Sequence, residues 1–186
     1  MASLWQWYRR LMATNPLRVQ MATSGILVGT GDVIAQFVIE QKSRKSYSFQ
    51  RTLRFWIVGT FLVAPVLNRW YRFLQTRVHV GGKWNRTLSP LVRVAIDQTI
   101  MLPSLIAAVL LSLRCMEGIP IVISWGKMKR ELMPIYVAGL RFWPIIQLVN
   151  FYLIPLKYRI VVAQTGALFW NVYLSWKTNI TTQRSN

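Results

Sequence analysis

Apolar residues gather along the chain in four or five runs, each about long enough to cross a hydrocarbon layer, with short basic segments between them. The pattern predicts membrane-spanning helices at 18–39, 53–74, 93–114 and 133–154. A further segment at 158–176 either spans or packs half-buried, because Gln164, Asn171 and Ser175 recur along it at helical spacing. About 20 residues rising roughly 1.5 Å each cover a bilayer core. A soluble helical core is the competing reading, but so many apolar segments leave too little polar chain to solvate them. The expected fold is all-α: a multi-pass transmembrane helix bundle in which 1–186 form one membrane-embedded domain.

Polar residues inside these runs carry the functional information. A carboxylate at the centre of a membrane helix costs about 2.5–3.5 kcal/mol on insertion scales, so Asp32 and Asp97 each need a partner or a hydrated space. In the first run Gly25, Gly29, Asp32 and Gln36 fall on one helical face, where the glycines allow close helix approach. In the third, Asp97 and Gln98 precede Pro103, which frees a backbone carbonyl and can kink the helix. Arg93, four residues earlier, is placed to neutralise Asp97 within the same helix. The second run contains Pro65, Asn68 and Arg69; the fourth contains Arg141, Pro144, Gln147 and Asn150; Arg159 opens the last segment after Pro155. We expect Asp32, Asp97, Arg69, Arg141 and Arg159 to face one another across a hydrated interior that Gln36, Asn68, Gln98, Gln147 and Asn150 share. The alternative is mutual neutralisation as interhelical glue, worth about 0.6 kcal/mol per polar contact.

Charge sharpens the membrane reading. Five acids oppose 23 Lys and Arg, for a formal charge of +18. In a soluble protein that excess points to nucleic acid. Here the cations lie between apolar runs, so lipid head groups are the expected counterpart and direct nucleic-acid binding is not expected. Trp70, Tyr71, Trp125, Tyr158 and Trp176 fall near run ends, where amphipathic rings favour the head-group region. The acid-free, basic and aromatic N-terminus suits mitochondrial import, a membrane surface, or a collar on the first span. Lys and Arg are balanced between the two sets of loops, so charge does not orient the chain.

Chemistry-bearing residues are scarce. One cysteine, Cys115, and one histidine, His79, leave no disulfide, no expected metal centre, and no nucleophile–imidazole pair in a membrane helix. Gly29-Thr30-Gly31-Asp32 matches the Gly-x-Gly-Asp of intramembrane aspartyl proteases, with Asp97 as a second carboxylate. Ile96 stands where those enzymes have tyrosine, and they are larger. No phosphate loop or dinucleotide fingerprint is present. The expectation is a non-enzyme without cofactor.

The residues do form a family pattern. It runs through Trp5, Tyr8, Leu11, Pro16, Gly31-Asp32, Gln36, Arg51, Arg54, Gly59, Pro65, Trp70-Tyr71, Asp97-Gln98 and Pro103. It is densest at the end, in Trp143-Pro144, Gln147, Asn150-Phe151-Tyr152, Pro155, Tyr158-Arg159, Trp170-Asn171 and Leu174-Ser175-Trp176. This resembles the Mpv-seventeen family, also called the twenty-two-kilodalton peroxisomal membrane protein family, and within it the mitochondrial inner-membrane branch. The resemblance implies a small-solute channel of that membrane, non-selective or weakly cation-selective. It also implies links to membrane potential, nucleotide pools, mitochondrial DNA maintenance and reactive-oxygen control. Its polar motif positions fall on Asp32, Gln36, Asp97, Gln98, Gln147, Asn150 and Arg159. Many relatives carry histidine where this chain has Asn68, so a mechanism titrating that imidazole is not expected. The ending Arg184-Ser185-Asn186 is not a peroxisomal address, which favours mitochondria over peroxisomes. Expected partners are membrane lipids, small solutes such as nucleotides or ions, and a homo-oligomer or inner-membrane complex. The alternative function is a non-conducting scaffold that organises inner-membrane partners.

Overall fold

The computed structural model describes residues 4–79, 81 and 85–183, with side chains described for 6–79, 81 and 88–173. The side chains of Trp5, Leu174, Ser175 and Trp176 lie outside that set. Among the described residues the regular secondary structure is all helical, without a strand. Helix α1 covers Leu4–Thr14. After Asn15, Pro16 opens α2 (Pro16–Ile34), occupying a first-turn position that needs no N–H. Helix α2 continues into a π-helical turn, Ala35–Ile39. Ser48 caps α3 (Phe49–Ile57) by accepting from the Arg51 backbone N–H. A π turn, Val58–Val63, then leads into α4 (Ala64–Arg77). Helix α5 (Asn85–Ile96), a third π turn (Asp97–Met101) and α6 (Leu102–Met116) form another continuous rod. Helix α7 spans Ile121–Leu153, a short 3-10 turn covers Leu156–Tyr158, and α8 covers Arg159–Gln183.

Two of the π turns have a cause in the sequence. Pro65 and Pro103 each sit at the second position of the α-helix that follows one. A proline ring clashes with the carbonyl four residues back and offers it no N–H, and the wider π turn moves that carbonyl aside. The expected kinks at these prolines are thus absorbed as π turns. Pro144 lies inside continuous α7, whereas Pro155 follows its end: Ile154 is extended, the conformation a following proline imposes. At the end of α6, Gly118 (φ 80°) takes the left-handed position while the Ile119 N–H returns to the Arg114 carbonyl, closing the helix as a Schellman turn.

Each predicted run overlaps a helix. Among the described residues three helices, Pro16–Ile39, Leu88–Met116 and Ile121–Leu153, are long and apolar enough by length and composition to cross a membrane; the runs at 53–74 and 158–176 are not among them. At 33 residues α7 extends about 50 Å, more than a roughly 30 Å hydrocarbon core requires. Its first third carries Lys127, Lys129 and Arg130, all exposed, and Lys129 lies over the exposed Trp125 ring.

The chain forms two compact units. The first comprises Met1–Pro65 and Gln164–Asn186, the second Val66–Ala163. In the first unit, α2 packs on α3 and the π turn after it. A Cβ built on Gly59 would stand 2.9 Å from Val28 Cβ and 3.1 Å from the Ser24 carbonyl; one on Gly31 would stand 2.9 Å from Asn171 Cβ. One on Gly25 would overlap Thr60 Oγ1 and meet the Trp56 indole. Gly29 differs: its nearest neighbour would be 3.5 Å away, ordinary contact. Close approach therefore depends on Gly25, Gly31 and Gly59, and the spacing that pairs Gly25 with Gly29 picks one position that has room. We expect Gly59→Ala to cost about 1–3 kcal/mol through overpacking, and Gly29→Ala, which has room for the methyl in a helix interior, to be neutral or to stabilise by up to about 1 kcal/mol. Melting of both variants in detergent checks the contrast.

In the second unit α6 packs along α7 and α5 also contacts it. Arg114, in the last turn of α6, donates to the Ser124 carbonyl and to Glu131 of α7, fastening the two helices at that end.

Candidate functional site

Each unit holds its own buried polar cluster. In the first, Asp32 is fully buried. Its Oδ1 accepts from Arg51 Nε at 2.7 Å; its Oδ2 accepts from Gln36 Nε2 at 2.8 Å and Thr52 Oγ1 at 2.7 Å. Gln36, one turn on, is itself held by Ser48, whose backbone N–H donates to Oε1 at 2.9 Å and whose carbonyl accepts at 3.1 Å. Tyr47 donates to Thr52 Oγ1 at 2.9 Å. Arg51 does more than neutralise Asp32. Its Nη1 and Nη2 reach both oxygens of Glu40, at 3.0 and 2.7 Å, and Lys42 pairs with the same carboxylate at 3.0 Å. A forked guanidinium suits such double engagement. Burial alone would raise the Glu40 carboxyl, but its bonds to Arg51 and Lys42 outweigh it and hold the group below its ordinary value. Burial likewise opposes charge on Arg51, yet Glu40 and Asp32 together raise the guanidinium above its ordinary value. The result is a clamp joining the end of α2, the following loop and the start of α3.

The same unit buries further polar groups, some bonded and some without a partner among the described residues. Ser24 Oγ donates to the Gly59 carbonyl at 2.8 Å. Thr60 Oγ1, both side-chain atoms of Gln164 and Asn171 Nδ2 are buried without a hydrogen bond among the described residues. Gln164 and Asn171 lie seven residues apart, on one face of α8.

The second unit is organised around Asp97, 3% exposed. Trp70 Nε1 donates to its Oδ1 at 2.8 Å, while Gln98 Nε2 and Gln147 Nε2 donate to its Oδ2 at 2.9 and 2.8 Å. Gln147 also donates to the Tyr71 hydroxyl at 3.0 Å and accepts from Asn150 Nδ2 at 3.1 Å. Asn150 passes the chain on to the Arg159 carbonyl, 3.1 Å away. Helices α4, α7, α8 and the turn at Asp97 are thus joined by one hydrogen-bonded string. Gln98 Oε1 and Asn150 Oδ1 remain buried without a partner among the described residues. Along the whole described chain, no group of three His, Cys, Asp or Glu is placed to hold a metal ion.

Several expectations about these residues need correction. Asp32 belongs to the first unit, where Arg51 pairs with it, whereas Arg69, Arg141 and Arg159 belong to the second. Arg69 and Arg141 lie on exposed helix faces, and Asn68 is half-buried. Arg93 does not neutralise Asp97; it turns toward Gln75, Val78 and His79, and Asp97 contacts no cation among the described residues. Trp70 and Tyr71 are more than head-group anchors: the indole N–H serves Asp97, and Tyr71 is 2% exposed. Sequence reading placed Arg51 in the family pattern without a role and missed Glu40 and Thr52, because all three lie beyond the first apolar run. Serine, a helix start and an arginine three residues after it are a visible signal of a clamp at that end.

The pattern of the Mpv17 / PMP22 family matches residues 114–175. The chain is 37% identical over 179 residues to the mitochondrial inner membrane protein Mpv17 of Xenopus laevis, covering 96% of this chain and 99% of that protein. It is 33% identical over 177 residues to the Homo sapiens protein of the same name, covering 95% and 98%. Protein SYM1 of Gibberella zeae is 37% identical over 176 residues, covering 95% and 98%. No solved structure matches the chain.

Proposed function

Because the chain belongs to the Mpv17/PMP22 family and is a protein of the mitochondrial inner membrane, we propose that it is a small-solute channel of that membrane, non-selective or weakly cation-selective. The observation that carries this reading is the set of buried side-chain atoms that have no hydrogen-bond partner among the described residues. Gln164, Asn171, Thr60, Gln98 and Asn150 present amide or hydroxyl atoms inside helices where an unsatisfied group costs several kcal/mol. Water is the cheapest partner for them, needing only a polar site with two to four groups to bind. A wet interior is the first requirement of a conduit. Asp97 supports the selectivity: it is a carboxylate held by neutral donors, which attracts cations, while the exposed Lys and Arg raise the local concentration of anions. On this reading, flux modulates membrane potential and supports nucleotide pools, mitochondrial DNA maintenance and reactive-oxygen control.

A scaffold without a pore is the second reading. It is favoured by Asp32, whose oxygens are occupied by Arg51, Gln36 and Thr52 in the manner of interhelical glue. Reconstitution of purified protein in liposomes, followed by flux of nucleotides and small ions, separates the two. The channel reading predicts current from pure protein, altered by Asp97→Asn more than protein abundance is. Absence of flux, together with a co-purifying complex and lowered abundance of the variant, would support the scaffold.

A further inference from the structure

The second unit also buries a pair of cations. Arg93 of α5 and Arg159, the first residue of α8, are each 6% exposed. Their guanidinium groups converge on one neutral acceptor: Gln75 Oε1 lies 3.0 Å from Arg93 Nη1 and 2.7 Å from Arg159 Nη1. The two nitrogens are therefore no more than about 6 Å apart, a distance at which like charges repel strongly in a medium of low dielectric. Among the described residues no carboxylate pairs with either guanidinium. Asp97, the acid nearest to Arg93 in sequence, is engaged elsewhere.

Both side chains are fixed from behind. Arg93 Nε donates to the Val78 carbonyl at 3.1 Å, and Arg159 Nε to the Ile154 carbonyl at 3.0 Å. These carbonyls follow the ends of α4 and α7, where helix C-termini leave acceptors free. Arg93 Nη2 meets His79 Nδ1 at 3.1 Å while His79 Nε2 meets the Thr76 carbonyl at 3.2 Å, which assigns the ring proton to Nε2. Phe151 lies under the Arg159 guanidinium, and Asn150 holds the Arg159 backbone. Each guanidinium carries five N–H donors, and Arg159 Nη2 has no acceptor among the described residues. One amide oxygen does not balance two charges. A tetrahedral oxyanion does, because planar guanidinium forks match its oxygens two at a time.

We propose that Arg93 and Arg159, bridged by Gln75, form a binding site for a phosphate oxyanion. The site stands among helix ends, beside the half-buried Gln75 and the exposed His79. Both a free phosphate-bearing solute and a phospholipid head group offer the required chemistry. The inference does not depend on conduction.

Purified full-length protein tests it by thermal melting followed through its tryptophans. In neutral detergent, inorganic pyrophosphate is titrated at ionic strength held constant with gluconate. In parallel, nanodiscs of phosphatidylcholine are compared with nanodiscs containing phosphatidylglycerol. A ligand that binds only the folded state raises Tm saturably. The expected result is such a rise in at least one arm, lost in Arg93→Gln and Arg159→Gln and kept in Arg130→Gln, whose charge is on the exposed face of α7. A rise with pyrophosphate identifies the solute as the source; a rise confined to the anionic nanodiscs identifies the head group. Gln75→Glu guards against variants that fail to fold. It sets a carboxylate between the two guanidiniums, so Tm without added anion should rise and the response to anion should vanish. No rise in either arm, a rise equally present in Arg93→Gln and Arg159→Gln, or a Gln75→Glu protein that melts lower or still responds, overturns the proposal.

Discussion

Replacing Arg51 by methionine is expected to destabilise the protein by about 3–5 kcal/mol, the range found when one member of a buried ion pair is removed. Arg51 and Asp32 pair at 2.7 Å with side chains 14% and 0% exposed. Without the guanidinium, the Asp32 carboxylate keeps its bonds to Gln36 and Thr52 but loses the charge that Arg51 places 2.7 Å away. Glu40 loses a two-pronged partner and retains Lys42. The effect should appear as a large fall in Tm in detergent and as loss of monodisperse protein. Pairing Arg51→Met with Asp32→Asn removes the stranded charge, so the double variant should recover a substantial part of the loss. Strict additivity of the two substitutions would show that the pair is not coupled, and the clamp would have no energetic content.

Gln147→Leu should have the next largest effect. The side chain is 3% exposed, donates to Asp97 and to Tyr71, and accepts from Asn150. Leucine fills much of the same volume but severs the string at its midpoint, leaving the carboxylate one donor short and an amide hydrogen of Asn150 without that acceptor. Hydrogen bonds to charged groups contribute about 1.5–3 kcal/mol and buried neutral ones about 1, so a loss of about 3 kcal/mol is expected. Melting of Gln147→Leu beside Val149→Leu, an exposed position of the same helix, measures it. A difference below about 1 kcal/mol would mean that the string adds little to the helices it joins.

These two residues show how much of the molecule was legible in its sequence. Gln147 and Asn150 sit one turn apart in an apolar run, so their shared face and their burial follow from helical periodicity. So does the Asp32–Gln36 bond, which closes across four residues. The helical runs themselves are set by length and hydropathy. Partners drawn from other helices are different, because they depend on how each helix is rotated and shifted against its neighbour. Arg51 lies in a basic stretch where many cations are solvated; the family pattern includes it, but only the fold shows that it pairs with Asp32 and Glu40. Trp70 belongs to a residue type common at the membrane surface, and the sequence does not say which indole N–H finds a carboxylate. The glycines teach the same lesson. Small residues four apart point to Gly25 and Gly29, but the rotation of α2 puts Gly31 against Asn171 and leaves space at Gly29. The π turns at Val58–Val63 and Asp97–Met101 were legible only as prolines; their form is a compromise between ring sterics and helix continuity.

The central claim is that water reaches the buried amides of α8. It is tested most directly by placing cysteine at Gln164 in a Cys115→Ser background, reconstituting the protein in liposomes and applying a charged, water-soluble maleimide. The account predicts that Gln164→Cys reacts in the intact bilayer, far faster than Phe169→Cys on the exposed apolar face of the same helix. Protection of Gln164→Cys until the membrane is dissolved and the protein denatured would contradict it.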